Sequence, residues 1–520
     1  MASTTVFAHP APLSSRISGF ERAMIMLGGM MATFMMVLDT TIANVALPHM
    51  STSLGATPET ITWVLTSYIV ASAISMPLTG WLADLMGRKE LFLAAIICFT
   101  AASALCAIAT NLPEMVLFRI LQGMSGALIM PICNAILLDI SPPDKIVKAM
   151  TIFSAGSLVA PVLGPLLGGI LTENFNWRWC FLINIPVGAV CIPMLMRFLP
   201  RTPTHPRRFD LFGFSLLALA LGALQMMLDR GQQQDWFDSW EVWAEAGLVI
   251  AAGWMFVVHV MTARDALFEP AMFKDRNFVT TGLVGVVLGM VVIGGGALLP
   301  SMLQGLLRYT VLDSGMMAAP RGIGSIVAML LASRLNSRVD PRLLIFTGSV
   351  LAALSLWFLT GITLDMDQRL VITANFIQGL GLGMTYVPIA VIAFATIAPR
   401  LNTSAASVLT LARNLGGSIG ISVATTVLAR NIQTSHSDLA SQITPASMPV
   451  LDPSVLGMFG SGGDMAMMMV DAEVNRQAAM IAYVDVYHMM MIATIISLPL
   501  VLIMRKANKP APEDHPMVVE

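Results

Sequence analysis

Asp39, in FMMVLDTTIANVALP, stands about 15 residues into an apolar run, and Arg119, in MVLFRILQGMSG, about six residues into another. Charges inside a bilayer are costly and mark functional positions by default. At ~1.5 Å per helical residue, Asp39 lies about 22 Å from the side where its run begins. Arg119 is ~9 Å in from the other side, so the two match in depth. A carboxylate beside a permanent guanidinium cation stays ionised, whereas one that is desolvated and parted from it takes up a proton. A conformational change that alters their separation would therefore bind and release one proton per cycle. A structural pair that merely neutralises itself would look the same in sequence. Gln122, three residues on, shares the helical face of Arg119, and Asn44 adds a second amide to the first run. Both are expected to line a cavity or support the pair. Arg321 and Arg413, the latter followed by Asn414, are the other polar candidates in apolar runs. Arg321 has no visible partner, and Arg413 is close enough to its helix end to snorkel to the surface.

The elements that must hold these residues are membrane helices. Hydrophobic residues make up 56% of 520 and charged ones 12%, far below the roughly 25% charged of soluble domains. Runs of about 20 apolar residues, enough to cross ~30 Å of hydrocarbon, recur along the chain. Fourteen are expected, among them 24–46, 61–82, 114–138, 150–172, 279–300, 406–430 and 482–504, with 211–228 the shortest. Of the 29 Lys and Arg, all but nine fall in segments on the side of the N-terminus. That bias puts both termini in the cytoplasm. The first apolar run is too long for a signal-peptide core and is expected to stay attached. The net charge of −2 says little about partners, and no nucleic-acid partner is expected.

Cys98, Cys106, Cys133, Cys180 and Cys191 are odd in number and lie in or beside apolar runs, which reads as packing rather than disulfides or zinc. The histidines have no ligand spacing, and no metal is expected. Residues 431–481 form a long connection rich in Ser, Pro, Gly and Met, whose second part has helical spacing and suits an interfacial helix. In GSLVAPVLGPLLGG, Gly156, Ala160, Gly164 and Gly168 form an i, i+4 stripe beside Pro161 and Pro165. Such a stripe lets two membrane helices approach closely, and the prolines favour a kink. It is expected to act as a gate, sealing against a facing helix of the other half of the molecule. Two apolar residues followed by Gln-Gly recur, as ILQG at Gln122 and FIQG at Gln378, and the same offset of 256 carries Gly164 onto Gly420. That offset maps span 4 onto 12 and span 5 onto 13, as expected for two six-helix repeats separated by an inserted pair. The expected division is a tail 1–22, a bundle 23–200, an inserted pair with linkers 201–275, a bundle 276–505 and a tail 506–520.

LDTTIANVALP, GWLADLMGRK, RILQGMSGA, GSLVAPVLGPLLGG, WRWCFLINIPVG and MLDRGQQQDWF, in that order, resemble motifs of the major facilitator superfamily, in its fourteen-helix drug:proton antiporter branch of EmrB/QacA type. The resemblance implies an all-α polytopic membrane protein of 6 + 2 + 6 helices in a bacterial inner membrane. Its implied function is export of lipophilic toxic compounds by alternating access, driven by a proton gradient and without a cofactor. Asp39 and Arg119 would couple the proton. Gly80, Asp84, Gly87 and Arg88 would form a cytoplasmic latch, although Leu85 stands where the family usually has Arg or Lys. A periplasmic adaptor and an outer-membrane channel are possible partners, facing the 431–481 connection. Forty Met residues suit an adaptable pocket or simple core filling equally. Export of one metabolite or fatty acid is an alternative, as is a non-transporting sensor or scaffold. No phosphate loop, nucleophile elbow or metal cluster suggests an enzyme.

Overall fold

The computed structural model describes residues 17–505 except 58–59, 143–144, 158, 205–207, 264–265, 336–337, 399–400 and 443–462. Among the described residues every expected span is largely helical, as the bilayer requires when no water is present to satisfy backbone groups. The helices are α1 (Gly19–Leu54), α2 (Trp63–Ser75 with Leu78–Met86), α3 (Arg88–Ile108), α4 (Leu112–Ile140), α5 (Ile146–Ser157 with Val159–Asn174), α6 (Trp179–Phe198) and α7 (Leu211–Arg230). They continue as α8 (Trp240–Thr262), α9 (Arg276–Leu306), α10 (Val311–Leu335), α11 (Pro341–Leu359), α12 (Gln368–Phe394), α13 (Asn402–Ser441) and α14 (Gly463–Ile503). Eleven are long and apolar enough to cross a membrane by themselves, and α2 makes a twelfth when its two pieces are joined. The exceptions have visible causes: α5 is described in two pieces, and α13 is rich in Ser, Thr, Asn and Gln.

Three boundaries differ from the sequence expectation. First, α2 bends by 60° between its pieces. Pro77 stands at the break and cannot donate to the helix carbonyl one turn back. Second, α9 runs past residue 300 through two π-helical turns, Met290–Gly294 and Ser301–Leu306. Third, most of the long 431–481 connection is helix. At 40 and 41 residues, α13 and α14 are each about 60 Å long, twice the hydrocarbon thickness. They extend together as an antiparallel hairpin. Asn431 Nδ2 donates to Asp485 Oδ2 at 2.9 Å, and the His436 ring lies 2.9 Å from Asp471 Oδ1. Apolar runs end where polar residues begin, but helices do not, and these cross-pairs carry the hairpin beyond the lipid. The second part is therefore a continuation of α14 packed on α13 rather than a separate interfacial helix. Residues 443–462 lie outside the described residues.

The glycine stripe of α5 faces α1, within its own half, which corrects the expectation that it seals against the other half. A Cβ on Gly168 would lie 3.1 Å from Ile42 Cγ1 and 3.2 Å from Val45 Cβ, and one on Gly164 would lie 2.7 Å from Thr41 Cβ. Gly156 meets the tip of Met30 in the same way, and Ala160 is fully buried. The spacing of small residues specifies a close approach but carries no information about which neighbour makes it. Pro161 and Pro165 fall in the second helical piece, and their side chains lie outside the described residues. The other half meets α5 through α10 instead. Gly420, at the 256-residue offset from Gly164, packs on Met290 of α9, with a would-be Cβ 2.7 Å from its Cα. Gly123 backs onto the chain at Tyr68 of α2, and its match Gly379 backs onto Arg321 of α10. Matched glycines thus make matched contacts.

The inserted pair is pinned at both ends, by Arg230–Glu241 at 2.7 Å and Asp210–His259 at 2.9 Å. Residues of MLDRGQQQDWF tie it to both bundles. Asp229 accepts from Thr66 of α2, and Trp236 Nε1 donates to Thr426 Oγ1 of α13 at 2.9 Å.

Because the Gly164 contact leaves no room for a methyl group, Gly164→Ala is expected to cost about 1–3 kcal/mol by overpacking. It should lower the thermal unfolding midpoint of the purified protein, and adding Thr41→Gly should recover most of the loss. An unshifted midpoint for Gly164→Ala contradicts the contact.

Candidate functional site

Asp39 of α1 and Arg119 of α4 meet as their depths require. Arg119 Nη1 lies 2.7 Å from Asp39 Oδ2, with the aspartate 0% and the arginine 1% exposed. Neither charge reaches water. The ion pair survives there because the carboxylate accepts three hydrogen bonds and the guanidinium makes three of its own, the kind of pairing under which buried charges are tolerated. Asp39 Oδ1 accepts from Gln122 Nε2 and from Asn184 Nδ2, both at 2.8 Å. Arg119 Nη1 also donates to Gln122 Oε1 at 2.8 Å, and Nε donates to the Val64 carbonyl at 3.0 Å. The guanidinium plane stacks 4.3 Å from the centre of the Tyr68 ring and 5.7 Å from that of Phe181. Five helices of one bundle, α1 to α4 and α6, therefore converge on one charge pair.

Asn184 was not among the residues that the sequence singled out, although it stands in the quoted WRWCFLINIPVG. It ties Asp39 to Ser103 of α3, whose hydroxyl lies 2.9 Å away and in turn donates to the Phe181 carbonyl at 2.9 Å. The second amide atom, Asn184 Oδ1, is buried without a hydrogen-bond partner. A lone Asn in an apolar run between a Trp-rich turn and a proline was the available signal. An uncharged side chain that can bond its own helix is easily passed over.

Gln122 belongs to the network, but Asn44 does not: it is exposed and returns its hydrogen bond to the Thr40 carbonyl of its own helix at 3.3 Å. The expected support of Asp39 by Asn44 is therefore replaced by Asn184. Arg321 donates from Nη2 to the Val292 carbonyl, at 2.9 Å, within the first π-helical turn of α9. That carbonyl, which also accepts from the Gly295 N–H, is the partner the sequence hid. Arg413 does not snorkel. Its guanidinium turns inward, onto the Tyr386 hydroxyl and, at 3.1 Å, the Met130 sulfur of the opposite bundle.

At the α2–α3 turn, Gly87 adopts φ +86°, a conformation that favours glycine. Arg88 there pairs with Asp139 at the end of α4, a carboxylate that the sequence reading had not selected, and its backbone N–H donates to Thr202 Oγ1 at 2.8 Å. Gly80 lets α2 approach α13, a would-be Cβ lying 3.1 Å from Ser404 Cα. The latch residues thus join the hinge to α4 and bring the two bundles together on that side.

The described residues contain no group of three or more His, Cys, Asp or Glu side chains that could hold a metal. The cysteines are free, and all but Cys98 are buried.

Comparisons with known proteins agree with this architecture. The family model described as Major Facilitator Superfamily matches residues 29–421. The fatty acid resistance protein FarB of Neisseria gonorrhoeae is 36% identical over 494 residues, 93% of this chain and 96% of that protein. The multidrug export protein EmrB of Escherichia coli K12 is 35% identical over 433 residues, 82% of this chain and 84% of that one. Among solved structures, the proton:xylose symporter XylE aligns with a TM-score of 0.57 at 12% identity, covering 91% of this chain and 95% of its own. At that identity the likeness speaks for the fold alone.

Removing Asn184 tests the network without touching a charge. Asn184→Ala deletes one of three hydrogen bonds to the buried carboxylate and is expected to destabilise the protein by about 1–3 kcal/mol. Asn44→Ala should stay within about 0.5 kcal/mol. Equal thermal shifts for the two variants would contradict the assignment.

Proposed function

The chain belongs to the major facilitator superfamily and is a multi-span membrane transporter rather than an enzyme, and on that premise we propose that it exports lipophilic toxic compounds in exchange for protons. The observation that carries the coupling is the dry pair at Asp39 and Arg119. Three donors converge on its carboxyl group. Protonation deletes the charge that Arg119 balances, and an O–H needs an acceptor where donors now converge. Asn184 offers one. Half a turn of its amide would present Oδ1, which has no partner in this conformation, to the new proton. Arg119 would then keep Gln122 and the Val64 carbonyl while α1 is released from α4. Movement of α1 is passed to α5 through the glycine stripe, where the two helices touch at Gly164 and Gly168. From α5 it reaches α10 of the other bundle. Proton binding and bundle movement are linked by this path, with the gradient as the energy source and no cofactor.

The names of the relatives, a fatty acid resistance protein and multidrug export proteins, support lipophilic cargo. A single fatty acid or metabolite is the narrower reading of the same site. The charge bias of the sequence supports cytoplasmic termini, and the bacterial relatives support a bacterial inner membrane as the location. The α13–α14 hairpin would then project into the periplasm, toward a periplasmic adaptor and outer-membrane channel in hosts that possess them.

Dye uptake into inverted vesicles tests the proposal. With wild-type protein, uptake should follow an imposed pH gradient and collapse when it is discharged. Asp39→Asn should reach the membrane but show no gradient-dependent uptake. Gradient-driven uptake by that variant would remove the role of Asp39, and a wild-type protein that moves no lipophilic compound would remove the export reading.

A further inference from the structure

The two bundles handle charge within their helices differently. In the first, the guanidinium of Arg119 is matched by Asp39. In the second, Arg321 and Arg413 form no ion pair among the described residues; their partners are a carbonyl, a phenol hydroxyl and a thioether. Arg413 lies ~16 Å along α13 from its first residue, too deep for its head to reach the end of the helix. It lines a cavity of about 90 Å³ between the bundles, where α4 and α5 of one face α9, α12 and α13 of the other. Arg413 is the one charged side chain among the lining residues described there.

A second group in this cavity points to a missing acceptor. Thr281 of α9 is 3% exposed and lines the cavity, and its hydroxyl is buried without a hydrogen-bond partner. Buried polar atoms are nearly always paired, and a half-buried cation whose partners are all neutral keeps much of its attraction for an anion. Asn134 and Thr410 add polar atoms to the wall, while Leu288 and Phe394 supply apolar surface.

We propose that this cavity binds the carboxylate of an amphiphilic acid, with Arg413 as its counter-ion and the Thr281 hydroxyl as a further donor, so that Arg413 sets the charge selectivity of the transporter. The proposal rests on the export reading for its physiological sense but not for its test. The cavity accepts a carboxylate and the first few carbons of its tail. It is smaller than the roughly 300–1,000 Å³ pockets that enclose whole drug-sized ligands, so the remainder of an occupant extends along the bundle interface. A quaternary ammonium would meet the guanidinium with like charge and leave Thr281 unanswered.

Calorimetric titration of the full chain in nanodiscs, corrected with empty discs, distinguishes these cases using three probes of equal chain length: dodecanoate, dodecyltrimethylammonium and dodecanol. Dodecanoate is expected to bind at least about tenfold more tightly than the ammonium. Arg413→Leu should erase that preference while leaving dodecanol binding unchanged, Arg413→Lys should retain most of it, and Thr281→Val should weaken dodecanoate selectively. A preference for the cation, or an anion preference that survives Arg413→Leu, overturns the proposal. If Arg413→Leu cannot be purified, the wild-type ranking and Thr281→Val decide. Absence of transport by the wild-type protein in proteoliposomes would count against export alone, because the binding preference is read without it.

Discussion

One dry ion pair organises the first bundle. A carboxylate and a guanidinium removed from water lose hydration worth several kcal/mol each, and only good geometry with further hydrogen bonds compensates. Asp39 and Arg119 meet that condition by recruiting Gln122, Asn184 and the Val64 carbonyl. The requirement reaches outward. α4 must approach α2 closely for Arg119 to find Val64 and stack on Tyr68, and Gly123 and Gly126 permit it by leaving space against that tyrosine. The first two turns of α6 must hold Phe181 and Asn184 over the pair, which Ser103 fixes from α3. Loss of either charge leaves the other buried and uncompensated, a situation that costs about 3–5 kcal/mol. In the proposed mechanism, that energy is what lets the protonation of a single carboxyl group move a helix.

The two bundles share a packing scheme but differ in polarity. Gly123 and Gly379, and Gly164 and Gly420, occupy matched contacts, so the backbone arrangement repeats where the charges do not. The first bundle encloses a neutralised pair, and the second presents unmatched cations near the interface. A proton site in one half and a substrate-facing surface in the other would separate the two cargoes in space while α5 and α10 connect them.

Much of this was readable from residues. Charges stand out in apolar runs, and helical rise alone matched the depths of Asp39 and Arg119. The small-residue stripe on α5 correctly indicated a tight helix contact, but its partner was α1, because spacing describes one surface and not the one that meets it. Asn184 and Ser103 were hidden by being uncharged. Asp139 was hidden by its place at a helix end, where an acid is unremarkable until Arg88 is seen against it. The length of α13 and α14 escaped a reading based on apolar runs. Beyond the hydrocarbon, polar helices persist through side-chain pairs such as His436 with Asp471, which hydropathy does not register.

The most direct test of the central claim is proton release by the purified protein. A pH-indicator dye in weakly buffered solution should record protons exchanged with the medium when a transported compound is added to wild-type protein, and no such signal for the Asp39→Asn variant with the same compound bound. Equal proton exchange by the two proteins would show that the carboxyl group on α1 is not the site where the proton is carried.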